Sequence, residues 1–319
     1  MNLTIAVLTY NSSKTILECL KSLETQIDKN FCVFIIDDNS SDFTIKIIKE
    51  NQKQFSFPIK IYTNGSRNIS RGRNIAIKKC KTKYLAFLDS DAYADKKWTK
   101  YINERFSHNV KLAIIGGKEQ IIYTNKFSQA LSINDQAINN ISNDIWKTKG
   151  LNFAINTRLL KNILFNEKFI HNDETEFIFR ANQTVKDADY LYDKKILVYH
   201  HARNTFQKYL KQVYAYGIWR VIFSFYAKKF RPIDYIPSII ITSSLVASFF
   251  YPEALLSIFL FSLLETTYIT YKTKPSLSLI PYLYLGWVTK NIGWGIGILA
   301  GLVKIATDKN LIKKVTYPN

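Results

Sequence analysis

The chain has 319 residues and a formal net charge of +19, with 44 Lys and Arg residues against 25 Asp and Glu residues. This length exceeds what one hydrophobic core usually organises, so two parts are expected. The lysines are spread along the whole chain without zinc-finger spacing or an aromatic RNA-binding signature, which argues against nucleic acid and for an anionic membrane leaflet or substrate. The three cysteines lack metal-ligand spacing and no secretory signal is recognised, so a reduced, cytoplasmic domain is expected.

The first half of the chain predicts strands that alternate with helices. Ile16, Leu20 and Leu23 recur at helical spacing, and a second helix is expected over Arg73–Lys79. Apolar runs without polar alternation indicate a mostly parallel sheet that is covered on both faces. The predicted strands are Leu3–Leu8, Phe31–Ile36, Ile59–Tyr62, Tyr84–Leu88 and Leu112–Ile115.

Polar residues follow four of these predicted strands in succession. The fourth strand ends in Asp89 and Asp91, which point the same way on an extended chain, about 7 Å apart, and so favour a cation. Any one of these ends is also typical of an ordinary turn. Four in order indicate a site, because ligands of parallel sheets bind beyond the carboxyl ends of the strands. The stretches are "TYN" (Thr9–Asn11), "DDNSSD" (Asp37–Asp42), "TNGSRN" (Thr63–Asn68) and "DSD" (Asp89–Asp91).

The combination of "VLTYN", "DDNSSD", "GRN" and "DSD" resembles family 2 glycosyltransferases of the GT-A fold, over roughly residues 3–220. Gly72 stands where the family more often has Ala. The resemblance implies an α/β, GT-A nucleotide-sugar-binding domain, and an enzyme that uses a nucleotide-sugar donor.

The resemblance also implies roles at the donor site. Asp38 would accept the imide N–H of a uracil base, and Thr9, Tyr10 and Asn11 would line the nucleoside pocket. Asp37 would shape the turn. The alternative for Asp37, Asp38 and Asp42 is helix capping.

At the diphosphate, the resemblance makes Asp91 a direct ligand of Mn²⁺ or Mg²⁺ and places Asp89 on the ribose or on a metal-bound water. Arg73 would donate to the phosphates or organise the pocket through Asp89; the alternative is a surface arginine. His200, at the end of the run "ILVYHH", would complete the metal site or act as a capping or interfacial residue.

A helix is predicted to begin near Asp173, because Phe177, Ile178 and Ala181 form an apolar face. Acidic residues in a first turn are favoured by the helix dipole alone. The family, however, has a Glu-Asp pair before such a helix, and its second acid is the catalytic base. Here the two types are exchanged, so Glu174 is the predicted base and Asp173 the alternative.

The second part of the chain predicts membrane association. Two apolar stretches, Tyr235–Phe250 and Glu253–Thr270, read as a helical hairpin, and a third, Leu277–Ala306, is expected to lie at the interface or to form another span. The expected organisation is a catalytic domain over 1–206, an amphipathic juxtamembrane segment over 207–234, membrane helices over 235–306 and a basic tail over 307–319, with the catalytic domain facing the cytoplasm.

The sequence therefore predicts an inverting, metal-dependent glycosyltransferase of polysaccharide or cell-envelope biosynthesis. Because the Q-x-x-R-W element of processive synthases is not found, one sugar is expected per encounter. The expected acceptor is a lipid-linked glycan or polyprenyl phosphate. The alternatives are a soluble glycan or protein acceptor, and an inactive membrane scaffold of the same fold.

Overall fold

The computed structural model describes residues 1–139, 145–201, 204–230, 232 and 235–317. The chain divides into two compact units: Met1–Ile121 with Ser142–His200, and Ile122–Ile141 with His201–Asn319. The expected domain boundary at residue 206 falls close to the one after His200. The segment 122–141, which the prediction placed in the catalytic domain, groups instead with the second unit.

One eight-stranded sheet has the order β3-β2-β1-β4-β7-β6-β8-β5. Strands β1, β2, β3 and β4 pair in parallel, as predicted. The remaining strands differ from the prediction, because β4–β7, β6–β7 and β5–β8 pair in antiparallel fashion. The strands are Leu3–Thr9 (β1), Phe31–Asp37 (β2), Ile59–Thr63 (β3), Tyr84–Asp89 (β4), Ala92–Ala94 (β5), Leu112–Ile122 (β6), Asn152–Asn156 (β7) and Asp189–His201 (β8).

Both faces of the parallel half are covered, which explains its continuous apolar runs. Every residue of β1 is buried. Ile5 and Val7 join one hydrophobic cluster with Leu20 of α1, whereas Ala6 joins a second cluster with Phe177 of α7. The helices of the first unit are Ile16–Glu24 (α1), Thr44–Asn51 (α2), Ile69–Lys79 (α3), Trp98–His108 (α4), Thr157–Leu160 (α6) and Asp173–Thr184 (α7).

Two predicted helices occur where expected. α1 buries Ile16, Leu20 and Leu23, the three residues at helical spacing. α7 begins at Asp173, the predicted first residue. The three cysteines are free thiols, and Cys19 is buried.

The second unit is helical. Its helices are Lys126–Asn139 (α5), Phe206–Ala227 (α8), Ile236–Ala247 (α9), Ala254–Thr273 (α10), Ile280–Thr307 (α11) and Leu311–Val315 (α12). Ala130 of α5 packs with Ile269 of α10 and with Leu283 and Trp287 of α11, which explains why α5 groups with this unit.

Glycines bring α8 and α11 into backbone contact. A Cβ at Gly217 would lie 2.3 Å from the Trp294 carbonyl oxygen, and one at Gly297 would lie 2.2 Å from the Tyr214 carbonyl oxygen. Gly293, Gly297 and Gly301 recur every fourth residue, so they lie on one face of α11. α8, predicted as an amphipathic surface segment, therefore has one face buried by another helix.

Among the described residues, one helix is long and apolar enough to cross a membrane: α10, with 20 residues. The predicted multi-pass arrangement is therefore not supported, whereas an interfacial position of the third segment stays a prediction. The first predicted span fails because α9 has only 12 residues, about 18 Å of helix against the about 30 Å of a hydrocarbon core. The third predicted segment became α11, which carries Lys290 and Lys304 within its apolar sequence.

Candidate active site

The carboxyl ends of the parallel strands bring the predicted polar stretches to one edge of the sheet. The register aligns Thr9 with Asp37, Asp37 with Thr63, and Leu8 with Asp89. The turns that follow hold several residues in the left-handed region, where non-glycine residues are rare outside functional sites and tight turns. These are Asn11 (φ 48°), Asn39 (φ 58°), Gly65 (φ 66°) and Arg67 (φ 50°).

Asp38 connects the turns after β1 and β3. Its Oδ1 accepts hydrogen bonds from the backbone N–H groups of Ser66 (3.0 Å) and Arg67 (2.7 Å), and its own N–H donates to the Thr9 carbonyl (2.9 Å). The Arg67 guanidinium lies 5.1 Å from the ring centroid of Tyr10, which is 42% exposed. Asp38 therefore has two backbone donors on one oxygen, and one of the donating residues, Arg67, also contacts an aromatic ring that is accessible to a flat ligand.

Asp37 and Asp42 stabilise local structure. Asp37 Oδ1 accepts from the Ser40 hydroxyl at 2.6 Å, which fits the turn-shaping role expected for it. Asp42 accepts from the backbone N–H groups of Ser13 and Thr44, both at 3.0 Å. Burial opposes the ionised form of Asp42, but hydrogen bonds from Thr44 and Ser13 outweigh it and hold its pKa below the usual range.

Asp91 belongs to a chain of polar contacts that crosses the antiparallel half of the sheet. His200 Nε2 lies 3.3 Å from Asp91 Oδ2, and His200 Nδ1 lies 2.8 Å from Glu119 Oε1. Lys149 donates to the other oxygen of Glu119, which is 8% exposed. Ala92 in β5 pairs with His200 in β8, and this pairing places His200 close to Asp91, the residue before Ala92.

These contacts determine the charges of His200 and Glu119. Burial disfavours the imidazolium, but hydrogen bonds to Asp91 and Glu119 raise the pKa of His200 to about 10, so a cation bound at Nε2 would have to displace a proton. Burial also disfavours the Glu119 carboxylate, but Lys149 and then His200 lower its pKa to about 2. Glu119 is therefore an anion that fixes the orientation of the His200 ring.

Asp89 lies next to this group with an unsatisfied oxygen. Its Oδ1 is buried and has no hydrogen-bond partner within the described part of the chain. Burial raises the pKa of Asp89 to about 6, against the attraction of Arg73 and together with the repulsion of Asp91. A buried carboxylate oxygen without a donor is a feature that a bound cation or ligand hydroxyl would explain.

Arg73 is buried, which rules out the surface-arginine alternative. Its exposed fraction is 2%, and its Nη1 forms an ion pair with Asp173. The guanidinium lies 5.3 Å from the ring centroid of Phe165, and a Cβ at Gly150 would lie 2.2 Å from Nη2. Glycine is therefore required at position 150 for the guanidinium to keep its place.

The two acids at the start of α7 have different environments. Asp173 is buried, paired with Arg73, and accepts a hydrogen bond from the Ser70 hydroxyl at 3.0 Å. The Glu174 side chain is half-buried. Burial, followed by repulsion from Asp173 and partly offset by Arg73, raises the pKa of Glu174 to about 8. Neighbouring carboxyls with such different environments are typical of acid-base catalysis, where each has a separate role.

A sequence model described as Glycosyl transferase family 2 matches residues 4–170, more than half of the chain. The chain belongs to this family. It is a glycosyltransferase, as the sequence resemblance implied.

Sequence relatives of this glycosyltransferase include two named enzymes. The Methanococcus voltae dolichyl N-acetyl-alpha-D-glucosaminyl phosphate 3-beta-D-2,3-diacetamido-2,3-dideoxy-beta-D-glucuronosyltransferase is 27% identical over 232 residues, which cover 67% of this chain and 71% of that enzyme. The Staphylococcus aureus poly(ribitol-phosphate) beta-N-acetylglucosaminyltransferase TarS is 26% identical over 239 residues, which cover 70% of this chain but 40% of TarS.

Solved structures agree with a mixed α/β, GT-A-like fold. The mannosyltransferase PcManGT from Pyrobaculum calidifontis, in complex with GDP-Man and Mn²⁺, is similar with a TM-score of 0.65 at 12% identity, covering 95% of this chain and 87% of that one. S. aureus TarS 1–349 in complex with UDP is similar with a TM-score of 0.51 at 17% identity, covering 95% and 92%. These identities establish the fold alone.

The side chains around Asp91 in this glycosyltransferase have the chemistry to bind a divalent cation. Within the described residues, no group of three or more His, Cys, Asp or Glu side chains is already arranged to hold a metal. Asp91 and Asp89 nevertheless supply the hard oxygens that Mg²⁺ and Mn²⁺ prefer, and neutral imidazole is a common additional metal ligand. The donorless Oδ1 of Asp89 and the orientation of His200 by Glu119 are the two observations that fit a cation at this place.

Four residues of the site escaped the sequence analysis: Ser70, Glu119, Lys149 and Gly150. Glu119 reaches His200 across 81 residues of sequence, and Lys149 reaches Glu119 across 30. No local motif marks such pairs, because the antiparallel strand order brings them together. Ser70 alone carried a signal, since it lies one turn before Arg73 on the same face of α3.

Proposed function

We propose that this chain is an inverting, metal-dependent glycosyltransferase that transfers one sugar from a nucleotide-sugar donor, with UDP as the expected nucleotide, to a membrane lipid-linked glycan or polyprenyl phosphate. The observation that carries the proposal is the contrast at the start of α7. Asp173 is held by Arg73 and Ser70, whereas Glu174 is half-buried with a raised pKa. The names of the relatives support the donor and acceptor classes: one acts on a dolichyl-linked sugar phosphate, and TarS has been crystallised with UDP.

The donor end of the reaction uses the residues at the strand ends. Asp38 keeps one oxygen beyond the two N–H donors on Oδ1, and this oxygen would accept the imide N–H of the base. Tyr10 would stack on the base and Asn11 would line the nucleoside pocket. A divalent cation bound by Asp91, Asp89 and His200 would neutralise the charge that develops on the departing diphosphate.

The acceptor end uses the acids of α7. With a glycan acceptor, Glu174, as the carboxylate, takes the proton of the acceptor hydroxyl while the acceptor oxygen forms a bond to the anomeric carbon. A polyprenyl phosphate would attack through an oxygen that is already ionised and would need no base. The bond from that carbon to the diphosphate oxygen breaks in the same step, so the nucleoside diphosphate leaves and the configuration inverts. Arg73 pairs with Asp173 and holds it in place beside Glu174, where repulsion from Asp173 contributes to the raised pKa of Glu174.

The test is nucleoside diphosphate release by the detergent-purified chain with UDP-, GDP- and dTDP-sugars, Mn²⁺ and a membrane lipid extract. Asp91→Asn and Glu174→Gln are compared with Glu50→Gln, a surface control at a carboxylate that is 60% exposed. We expect release with UDP-sugars, lost on chelation and in both site variants but kept in the control. NMR of the product should show inverted configuration and a single added sugar.

Other results would count against the proposal. Retained configuration excludes the single displacement. Equal activity on a soluble glycan supports the anchor interpretation of the helical unit. No release and no metal-dependent nucleotide binding with any donor would favour an inactive scaffold.

A further inference from the structure

The helices α9 and α10 expose an unusual amount of apolar side chain. On α9, Ile236, Ile239, Ile240 and Val246 are exposed, and the turn that follows exposes Phe249 (85%) and Phe250 (78%). On α10 the exposed apolar residues are Leu255, Leu256, Phe259, Leu260, Leu263 and Leu264. Soluble monomers rarely expose a contiguous apolar surface of this kind, so it calls for a partner.

The height of this apolar surface matches half of a bilayer. On α10 it extends from Leu255 to Leu264, and on α9 from Ile236 to Val246, which corresponds to about 14–15 Å along each helix. The hydrocarbon core of a bilayer is about 30 Å thick, so one leaflet contributes about 15 Å. The exposed apolar surfaces of α9 and α10 therefore each have a length that corresponds to the depth of one leaflet.

Polar and interfacial residues begin where the apolar surface ends. After Leu264, α10 exposes Tyr268 and Tyr271, and Lys272 donates to the Tyr268 hydroxyl at 3.1 Å. At the same level, Asn291 of α11 donates to Glu265 at 3.0 Å. Tyrosine and lysine at one level are typical of the headgroup region.

Most backbone N–H groups at the tip of the hairpin are satisfied within it, which lowers the cost of a lipid environment. The N–H groups of Ser248, Phe249, Phe250 and Tyr251 all donate to carbonyls of α9, and those of Ala254, Leu255 and Leu256 donate within the turn. The Ser257 hydroxyl donates to the Ser244 hydroxyl at 2.8 Å, which joins the two helices near the tip.

The opposite end of the hairpin is basic. Lys228 and Lys229 precede α9, and Lys272 and Lys274 lie at the end of α10. With a net charge of +19 for the whole chain, these lysines favour an anionic leaflet, where each basic residue near the surface adds to the attraction.

We propose that the α9–α10 hairpin (Ile236–Thr273) enters one leaflet of an anionic membrane from one side and turns back within it, with Phe249 and Phe250 deepest and Tyr268, Tyr271 and Lys272 at the headgroups. This replaces the predicted full crossing with a re-entrant anchor. It does not depend on the proposed reaction, and its tests use no activity.

The first experiment measures flotation of the full chain with vesicles of POPC alone or POPC with 30% POPG. We expect binding that needs POPG and that weakens with salt. Phe249→Asp should lower the partition constant by about tenfold or more, because it removes an aromatic ring that the membrane would bury and adds a charge. Phe43→Asp, at a ring in the first unit that is 68% exposed, is the matched control and should leave binding unchanged. Binding that is equally strong without POPG would overturn the proposal. An equal change of binding in Phe249→Asp and in Phe43→Asp would overturn it as well.

The second experiment distinguishes a re-entrant hairpin from a full crossing. Phe250→Cys is introduced with Cys32 and Cys80 replaced by Ser, and is exposed to a membrane-impermeant maleimide outside or inside sealed vesicles. We expect reaction without vesicles and protection from both sides with them. Labelling from the far side means that the hairpin crosses. Protection without vesicles means that a second copy of the chain covers the tip, and this also contradicts the proposal.

The third experiment uses Glu253, the charged residue at the tip. In the re-entrant arrangement its charge opposes insertion, so Glu253→Gln should raise the partition constant by about tenfold. In a full crossing Glu253 would lie in water beyond the membrane, and the same change would have no effect.

Discussion

Replacing Asp173 by Asn tests the division of roles between the two acids of α7. Asn is nearly isosteric and its carbonyl oxygen can still accept from Arg73 and Ser70, so the pocket keeps its shape while one negative charge is removed. In the native chain the pKa of Glu174 is raised to about 8, first by burial and second by repulsion from Asp173. The variant removes the second cause and leaves the first.

The size of the effect follows from these causes. A neighbouring like charge typically shifts a carboxyl pKa by about 1–2 units, so in Asp173→Asn the pKa of Glu174 should fall to between its ordinary value and that of the native chain. Because the base must be ionised, kcat/KM of the native enzyme should rise with pH through about 8. In the variant this rise should occur about 1–2 units lower.

The assay is the pH dependence of kcat/KM for nucleoside diphosphate release between pH 5.5 and 9.5, with Glu174→Gln as the comparison. The ratio of Asp173→Asn activity to native activity should be greatest at low pH. An unchanged pH profile would refute the electrostatic reasoning. A loss as deep as that of Glu174→Gln at every pH would identify Asp173 as the base.

Three further predictions concern the surroundings of the site. Glu119→Gln should weaken Mn²⁺ binding by about 10–100-fold, because His200 loses the carboxylate that orients it. A Mn²⁺ titration followed by electron paramagnetic resonance measures this affinity. An unchanged affinity would exclude His200 as an oriented ligand. Gly150→Ala should cost about 1–3 kcal/mol through overpacking against Arg73, seen as a lower thermal midpoint, and a midpoint equal to that of the native chain would contradict the packing argument. Raising the pH from about 4.5 to 8 should reduce the contribution of Glu174 to folding stability, because its folded pKa lies above its ordinary value; Glu174→Gln should remove that part of the pH dependence.

The parallel half of the sheet and its polar edge could be predicted because local sequence carries them. A strand buried on both faces appears as an unbroken apolar run, as in β1, and the residue at which such a run ends marks the edge of the sheet. The start of α7 at Asp173 was predictable for a similar reason, since an apolar face at helical spacing begins one turn later.

Other features depend on contacts that no local pattern encodes. Glu119 meets His200 only because β6 and β8 are neighbours in the mixed part of the sheet, an order that alternating strands and helices do not predict. The length of α9 was overestimated because apolar composition continues from the helix into the turn at Phe249 and Phe250. Hydropathy alone does not separate a helix from an apolar turn.

The exchange of acid types at positions 173 and 174 has a consistent physical account under the proposed mechanism. Asp173 is buried, and both Arg73 and Ser70 contact its Oδ2. Position 174 is half-buried, and the longer Glu side chain there gains the reach that an acceptor hydroxyl requires. The family pattern puts the longer acid first, so this chain keeps the two roles in order and changes the side-chain lengths that perform them. The buried pair fixes the charge beside the base, and the base keeps the freedom to approach the acceptor.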